Sequence, residues 1–319
     1  MLSEQVFADW YYSVELEPGR FTKGIDHTNI AVTRSCIDSI DVNGRSVLDL
    51  STMEGMFATL LAKRGAIVTT TDTIDLTPRV NLLKTAHKTS FNYLPHCPPG
   101  DSVQYLFEYQ TSTSYSPSKP LKSSAVTPYG YDIVLSSGVM YHVLSPLQYI
   151  IQLRRLTKLG GLVIIETACA INDEIEMYNN YRHGSFVYRT GWTSWFLSTR
   201  AIDIFLRACF FHPIGFSYIK SEKTSDLNVI RLGVVAKAIH HRAFDPTLLA
   251  VIDDGEIIRS YDYKPLYESA QLTGQTSSET VYKSNIINPI NDYLNSYLLT
   301  QTPEVSFNSN YLRLSLSDR

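Results

Sequence analysis

The chain has 319 residues, 44% of them hydrophobic, and its 28 basic and 31 acidic residues give a formal net charge of −3. A chain of this length can bury a large core, either as one α/β domain or as one domain with an appendage. The slightly acidic balance and the lack of a Lys/Arg run argue against a partner bound through its phosphate backbone, without excluding one.

The four cysteines are Cys36, Cys97, Cys169 and Cys209. They lie far apart and without the spacing of metal ligands, so the sequence predicts buried thiols, no metal site and a reducing compartment. The N-terminus lacks a basic region followed by a long apolar one, and no apolar run approaches the ~20 residues of a membrane span. These features favour a cytoplasmic protein without a membrane partner.

Strand-like and helix-like patterns alternate along the middle of the chain, the order that builds a mostly parallel sheet. In chain order, the sequence predicts strands at 46–50, 67–72, 103–109, 131–138, 162–167 and 228–239, and helices at 54–64, 78–88, 146–157 and 199–209. A surface loop is expected at 110–129, which is rich in Ser, Thr, Pro and Tyr. This order predicts a doubly wound α/β sheet that binds ligands at the carboxyl ends of its strands.

The C-terminal extension, residues 240–319, has a different composition. It is rich in Tyr, Ser, Thr and Asn and shows only a short helical pattern near 286–299. It is expected to be a lid, an arm that forms a homodimer, or a tail wrapped on the core.

A small-residue turn follows the first predicted strand and leads into a helix. Gly55 is its only glycine, and Asp72 follows the second apolar segment at the spacing expected for ribose recognition. A turn that binds no phosphate, together with an acid for the ribose, would suit S-adenosyl-L-methionine, whose sulfonium needs no helix N-terminus to neutralise a pyrophosphate. An ordinary α/β turn is the alternative, since strand-turn-helix units are common.

Several motifs together resemble the class I S-adenosylmethionine-dependent methyltransferases. They are Asp49…Gly55, Asp72, Tyr131-Asp-Ile-Val, Gly138-Val-Met-Tyr-His142…Ser145-Pro146-Leu147, Gly160-Gly161 and Glu166-Thr167. Within that class, about Trp10 to Ile239 is similar to the group related to tRNA wobble-uridine 5-oxyacetate methyltransferases and carboxymethyltransferases. The Tyr-His-x-x-Ser-Pro motif and the segment Trp10–Gly24 carry this likeness.

The resemblance implies a Rossmann-like methyltransferase sheet and three parts. These are an N-terminal lid segment (1–45), an S-adenosylmethionine-binding methyltransferase domain (46–239) and the C-terminal extension (240–319). Two positions depart from the family. Ser51 stands where these enzymes usually carry the first glycine of the cofactor turn. Tyr12 stands where relatives commonly carry histidine, which suggests a changed substrate.

Cofactor-binding roles follow from the same resemblance. Asp49 would organise the turn and reach the cofactor's amino group, while Asp72 would accept hydrogen bonds from the ribose hydroxyls. Three turn residues would line the cofactor backbone, and two residues after the fourth strand would face its methionine part. These five are Ser51, Met53 and Gly55, and Ser137 and Gly138.

The catalytic candidates are Tyr141, His142 and Glu166. The resemblance places Tyr141 and His142 beside the transferred group, and histidine is the side chain best suited to take a proton near neutral pH. His142 is therefore the first candidate for a general base and Glu166 the second. The alternatives are a packing or helix-capping role for His142 and a structural hydrogen bond for Glu166.

The segment 176–195 is unusually aromatic and stands where class I methyltransferases cover the acceptor. Its rings could form a cage that removes water from the reacting atom or binds a cation, and Arg182 or Arg189 could hold a carboxylate. Aromatic packing of a lid is the alternative. The candidate substrate-binding residues, including two from the N-terminal segment, are Trp10, Tyr12, Tyr178, Tyr181, Tyr188, Arg189, Trp192 and Trp195.

Three functions remain. The leading one is methyl transfer from S-adenosyl-L-methionine to a small-molecule acceptor, since the core motifs are present and basic runs are absent. The second is a tRNA wobble-uridine methyl- or carboxymethyltransferase, in which Arg231 is a candidate partner for the extra carboxylate of a carboxylated cofactor. The third is a catalytically silent cofactor-binding protein, because of Ser51 and the tyrosine-rich extension.

Overall fold

The computed structural model describes residues 2–25, 27–99, 130–172, 174–182, 185–186, 193–220, 228–239 and 309–318. The strand predicted at 103–109, the loop at 110–129 and the helical pattern at 286–299 lie outside these residues. The lid and dimerisation roles considered for residues 240–319 stay predictions, as does the division into three parts.

The described residues form thirteen strands and five α-helices. The strands are β1 (Glu15–Glu17), β2 (Arg20–Phe21), β3 (Ser46–Leu50), β4 (Ile67–Thr71), β5 (Asn92–Leu94), β6 (Tyr131–Ser137), β7 (Thr157–Ala170), β8 (Met177–Asn179), β9 (Tyr181–Arg182), β10 (Ser185–Phe186), β11 (Trp195–Ser198), β12 (Phe211–Lys220) and β13 (Val229–Ala238). The helices are α1 (Thr28–Asp38), α2 (Met56–Lys63), α3 (Thr77–His87), α4 (Pro146–Leu156) and α5 (Thr199–Ala208).

The main sheet has the strand order β12-β13-β7-β6-β3-β4-β5. Strands β7, β6, β3, β4 and β5 are parallel, whereas β13 runs antiparallel to both β7 and β12. The chain leaves β3 towards β4 and β5 and then crosses back to β6 on the other side of β3. The order therefore reverses between β3 and β6, which is where doubly wound sheets bind ligands. The predicted doubly wound fold is confirmed.

Two predictions about the sheet need correction. β7 begins at Thr157 and includes Gly160 and Gly161, whereas the strand was predicted to begin at residue 162. β12 was not predicted, because Pro213 and Gly215 read as loop residues in its sequence. It lies at the edge of the sheet with a register shift between those two residues, and an edge strand tolerates proline and a bulge.

Helix α1 was not predicted from the sequence either. Its β-branched residues, among them Ile30, Val32, Thr33 and Ile37, lower the intrinsic preference for a helix. Ile30, Val32 and Ile37 are buried, because α1 packs against β7, β12 and β13. Burial of this apolar face therefore outweighs the weak local preference.

Hydrophobic cores cover both faces of the sheet. One contains side chains of α4 and α5, and the other contains side chains of α1, α2 and α3. All four cysteines are buried free thiols, as predicted. Within the described ranges, no helix combines the length and apolar character that crossing a membrane requires.

Candidate functional site

The turn after β3 adopts an unusual backbone conformation. Ser51, Met53 and Gly55 have φ angles of 56°, 53° and 93°. Positive φ is readily adopted by glycine but costs other residues roughly 1–2 kcal/mol each. Thr52, between them, donates its hydroxyl to Asp49 Oδ2 at 2.6 Å. The chain thus forms a glycine-type turn with a serine and a methionine in two of the three left-handed positions.

Two buried carboxyl groups lie beside this turn. Asp49 is 1% exposed, and burial raises its pKa to about 7, with the nearby charge of Asp72 adding to the shift. Asp72 follows β4 and accepts hydrogen bonds from the backbone N–H of Met53 at 2.7 Å and of Ile74 at 3.1 Å. Burial also raises the pKa of Asp72, and these backbone hydrogen bonds oppose the shift. The two acids predicted to organise the turn and bind the ribose therefore lie at the carboxyl ends of adjacent strands.

A buried ion pair joins β7 to β13 beside the end of β6, so Glu166 lies within its strand and not at the strand end that was predicted. Arg231 donates from Nε to Glu166 Oε1 and from Nη2 to Glu166 Oε2, both at 2.7 Å. Glu166 is 0% exposed and Arg231 is 3% exposed. Such a two-point pair is charge-assisted and geometrically specific. Glu166, the second candidate for a general base, has both carboxylate oxygens bound to Arg231, which corresponds to the structural alternative.

Gly138 faces a group of polar side chains. A Cβ at this glycine would lie 3.4 Å from the Tyr141 hydroxyl, 3.6 Å from Asn29 Nδ2 and 4.0 Å from Arg231 Nη2. The Arg231 guanidinium lies 4.9 Å from the Tyr141 ring centroid, and Asn29 hydrogen-bonds Glu166. The sequence analysis did not identify Asn29, because it lies in the unpredicted helix α1.

Ser137 and His142 lie on either side of this polar group. The Ser137 hydroxyl pairs with that of Thr33 on α1 at 2.6 Å. His142 ends the short 3-10 turn Met140–His142 and is exposed, and its ring centroid lies 4.3 Å from that of Tyr141. The Tyr141 ring therefore lies in contact range of both His142 and Arg231.

Trp10 and Tyr12 are both buried near the cofactor turn. The backbone N–H of Tyr11 donates to Glu54 Oε1 at 2.7 Å, which joins the N-terminal segment to the residue after Met53. Tyr12 packs its ring against Phe57 at 5.9 Å, and burial raises its pKa well above the ordinary value. Tyr12 thus packs on α2, which follows the turn, and Trp10 belongs to the same hydrophobic core.

The register between β8 and β11 places side chains of the aromatic segment 176–195 on opposite faces. Trp195 pairs with Asn179 and Phe196 pairs with Tyr178, so each pair lies on one face of this part of the main sheet, which β11 joins by pairing with β7. Phe196 and Tyr178 pack with Tyr141. Trp195 and Tyr178 therefore do not meet in one cage. Tyr188, Arg189 and Trp192, with the Arg182 side chain, lie outside the described residues.

A cavity of about 270 Å³ lies on the Trp195 face. Ser194, in its wall, donates its backbone N–H to Tyr141 O at 2.8 Å and its hydroxyl to His142 O at 3.4 Å. The cavity therefore adjoins the turn that carries the catalytic candidates. Its lining residues, all uncharged, are Leu144, Asn179, Asn180, Tyr181, Thr193, Ser194 and Trp195.

These residues fit an S-adenosyl group. Asp72, which follows β4, suits the ribose hydroxyls, and the buried Asp49 suits a cationic group of the cofactor. Gly138 leaves space beside the hydrogen-bonding groups of Tyr141 and Asn29. A family model described as a methyltransferase domain matches residues 27–211, more than half of the chain. The chain belongs to this family. The predicted class I methyltransferase domain, with S-adenosylmethionine as its cofactor, is thereby confirmed.

Two curated relatives of this methyltransferase are both tRNA U34 carboxymethyltransferases. The protein from Hahella chejuensis (strain KCTC 2396) is 32% identical over 80 residues, which cover 23% of this chain and 25% of the relative. The protein from Shewanella sp. (strain W3-18-1) is 26% identical over 159 residues, which cover 47% of this chain and 42% of the relative. The methyltransferase thus spans less than half the length of these curated relatives.

Solved structures similar to the methyltransferase have low sequence identity. The 1,6-didemethyltoxoflavin-N1-methyltransferase of Burkholderia thailandensis is 14% identical with a TM-score of 0.43, over 67% of this chain and 78% of that one. A SAM-dependent methyltransferase from Methanosarcina mazei is 14% identical with a TM-score of 0.41, over 64% and 97% of the two chains.

Replacing Asp72 with alanine should weaken cofactor binding by ~1.5–3 kcal/mol, since it removes a charged acceptor of hydrogen bonds. Titration calorimetry would measure the change. Asp72→Asn is the matched control, because an amide oxygen can still accept the Met53 hydrogen bond while the charge is lost, and its effect should be smaller. An unchanged affinity for Asp72→Ala would exclude the ribose-binding role.

Proposed function

We propose that this chain transfers a methyl group from S-adenosylmethionine to a neutral small-molecule acceptor. The observation that carries the proposal is the cavity beside residues 140–142. Its volume of about 270 Å³ is close to the lower end of small-ligand pockets, roughly 300–1,000 Å³. Its described lining offers amide and hydroxyl groups for hydrogen bonds and the Trp195 ring for stacking, and it offers no charge for a phosphate.

The proposed mechanism rests on alignment. The cofactor supplies a methyl group bound to a sulfonium, and in-line displacement requires the acceptor to approach from the opposite side. Positioning alone can lower such a barrier by up to ~7–11 kcal/mol. Tyr141 and Asn29, whose polar groups lie beside Gly138, would hold the methionine part of the cofactor, and His142, whose ring lies against Tyr141, would take a proton from an acceptor that must lose one. Glu166 would hold Arg231 and Asn29 in place.

The likeness to tRNA U34 carboxymethyltransferases supports the alternative function. A carboxylated cofactor needs a cationic partner, and Arg231, whose Nη2 would lie 4.0 Å from a Cβ at Gly138, is the candidate. Arg231 is bound at two points by Glu166, however, so the pair carries no net charge. This neutralisation favours the ordinary cofactor over the carboxylated one.

Labelled cofactor would separate these functions. The enzyme would be incubated with total tRNA or with a small-molecule extract, and label should enter a small product. Label entering tRNA at a comparable rate would overturn the proposal and favour the alternative, and cofactor binding without any transfer would favour the silent protein.

Salt dependence provides a second criterion for the acceptor class. An RNA that contacts six or more phosphates would lose affinity on the order of 10³-fold between low and physiological salt, whereas a neutral acceptor should show little change. Trp195→Ala should raise the KM for the acceptor.

Cofactor affinity should also increase with pH. In the free protein Asp49 has a pKa of about 7, so it is largely protonated at pH values below 7. The positive charge of the bound cofactor favours the carboxylate form of Asp49. Cofactor binding should therefore release a proton, and the affinity for the cofactor should increase about tenfold between pH ~6 and ~8. Calorimetry in buffers of different ionisation enthalpy would detect that proton. Asp49→Asn should abolish the dependence; a flat profile in the unmodified protein would contradict the role.

A further inference from the structure

The C-terminal segment 309–318, which we call the C-terminal clasp, lies against the N-terminal strand β1. Leu314 pairs with Val14 in a parallel bridge, in which Glu15 N–H donates to Leu314 O at 2.8 Å and Leu314 N–H donates to Ser13 O at 3.1 Å. Leu312 and Leu314 are buried in the core that also contains Trp10, Tyr12 and Phe57. The end of the sequence is therefore part of the core that covers the cofactor turn.

Polar side chains anchor the clasp to two N-terminal elements. Glu15 Oε2 accepts hydrogen bonds from the Leu316 N–H and the Ser315 hydroxyl, both at 2.7 Å. On α1, Arg34 donates to Arg313 O at 2.6 Å and forms an ion pair with Asp318 at 3.4 Å. Glu15 and Arg34 are themselves buried, so these contacts are shielded from water.

The two elements bound by the clasp also make the N-terminal contacts to the cofactor site. The segment leading into β1 reaches the cofactor turn through the Tyr11 N–H, which donates to Glu54 at 2.7 Å. Helix α1 reaches the far side of the site, where Thr33 pairs with Ser137 at 2.6 Å and Asn29 binds Glu166. Among the described residues, the hydrogen bonds and ion pairs of the Glu15 and Arg34 side chains go to Gly19 and to the clasp, and not to a residue assigned to the cofactor or acceptor.

We propose that Glu15 and Arg34 are positioning residues, which through the C-terminal clasp hold the N-terminal segment and α1 against the cofactor site. Cofactor affinity then depends on the clasp. Because coupling free energies are reciprocal, bound cofactor must also stabilise the clasp. This inference goes beyond the proposed function, and it holds whether the acceptor is a small molecule or a tRNA.

The first test uses the full-length chain and titration calorimetry with S-adenosylmethionine. Arg34→Ala should weaken binding by about fivefold or more, and Arg34→Lys, which keeps a donor for the Arg313 carbonyl, should recover part of the affinity. Lys158→Ala is the control, since it removes the partly buried pair with Asp132 at 2.9 Å, which joins β6 and β7 and involves no clasp residue. Its affinity should change less than about twofold.

Glu15→Ala provides a second variant if Arg34→Ala does not fold. It removes Oε2, the acceptor of the Ser315 hydroxyl and the Leu316 N–H, and so breaks the clasp contacts of this side chain. Hydrogen exchange of the unmodified protein tests the reciprocal effect, and saturating cofactor should slow exchange of the Leu314 amide about fivefold or more. An unchanged Leu314 rate, or full affinity in a folded Arg34→Ala or Glu15→Ala protein, would overturn the inference. These measurements follow cofactor binding, so their failure leaves the acceptor proposal untouched.

Discussion

Replacing Arg231 with alanine is expected to lower the free energy of unfolding by about 3–5 kcal/mol, because it leaves the Glu166 carboxylate buried without its partner. Glu166 is 0% exposed and takes two hydrogen bonds of 2.7 Å from this guanidinium. The loss is a large fraction of a typical domain stability of about 5–15 kcal/mol. Urea denaturation followed by circular dichroism would measure it.

Two further variants test whether the loss of stability comes from the unpaired charge, and whether breaking a buried ion pair elsewhere affects cofactor binding. The double variant Glu166→Gln with Arg231→Met, which removes both charges, should recover most of the lost stability. Arg207→Ala breaks another buried pair, with Asp203 at 2.9 Å in α5, and should destabilise the protein without changing cofactor affinity. If Arg231→Ala lowered the unfolding free energy by less than about 1 kcal/mol, Glu166 could not be a buried charge that depends on Arg231.

Replacing His142 with asparagine is expected to lower turnover about 100-fold or more while cofactor affinity stays nearly unchanged. A general base must be deprotonated, so the rate of the unmodified enzyme should fall as the pH drops and His142 gains a proton. The variant should lose this acidic limb of the pH profile. Its exposed position predicts that the substitution leaves the fold intact.

Tyr141→Phe is the informative comparison for His142. It keeps a ring against Arg231 and removes only the hydroxyl beside Gly138, so it should weaken cofactor binding, which His142→Asn should not do, and retain the acidic limb. Equal turnover of His142→Asn and the unmodified enzyme would exclude base catalysis by His142. Loss of folding and of cofactor binding together would instead indicate that the residue packs the turn.

Local sequence patterns were sufficient to predict the strands β3, β4 and β6 and the turn that follows β3. Each of these strands is a short run rich in apolar or β-branched residues, and Asp49 and Asp72 stand at or near the ends of such runs. Parallel strands place these ends at one edge of the sheet, which is why the two acids could be assigned to one site. The helices α2 to α5 were predicted by the same reasoning from their apolar faces and, for α3 and α4, an early proline.

The tertiary structure alone determined the contacts between distant parts of the chain. Glu166 and Arg231 are 65 residues apart, and Glu15 and Leu316 are 301 residues apart, so no local period relates them. The antiparallel register of β8 and β11 places Tyr178 and Trp195 on opposite faces, although both belong to one aromatic segment. A sequence pattern predicts which side chains share a face of their own helix or strand, whereas packing energy across the whole fold determines which faces meet.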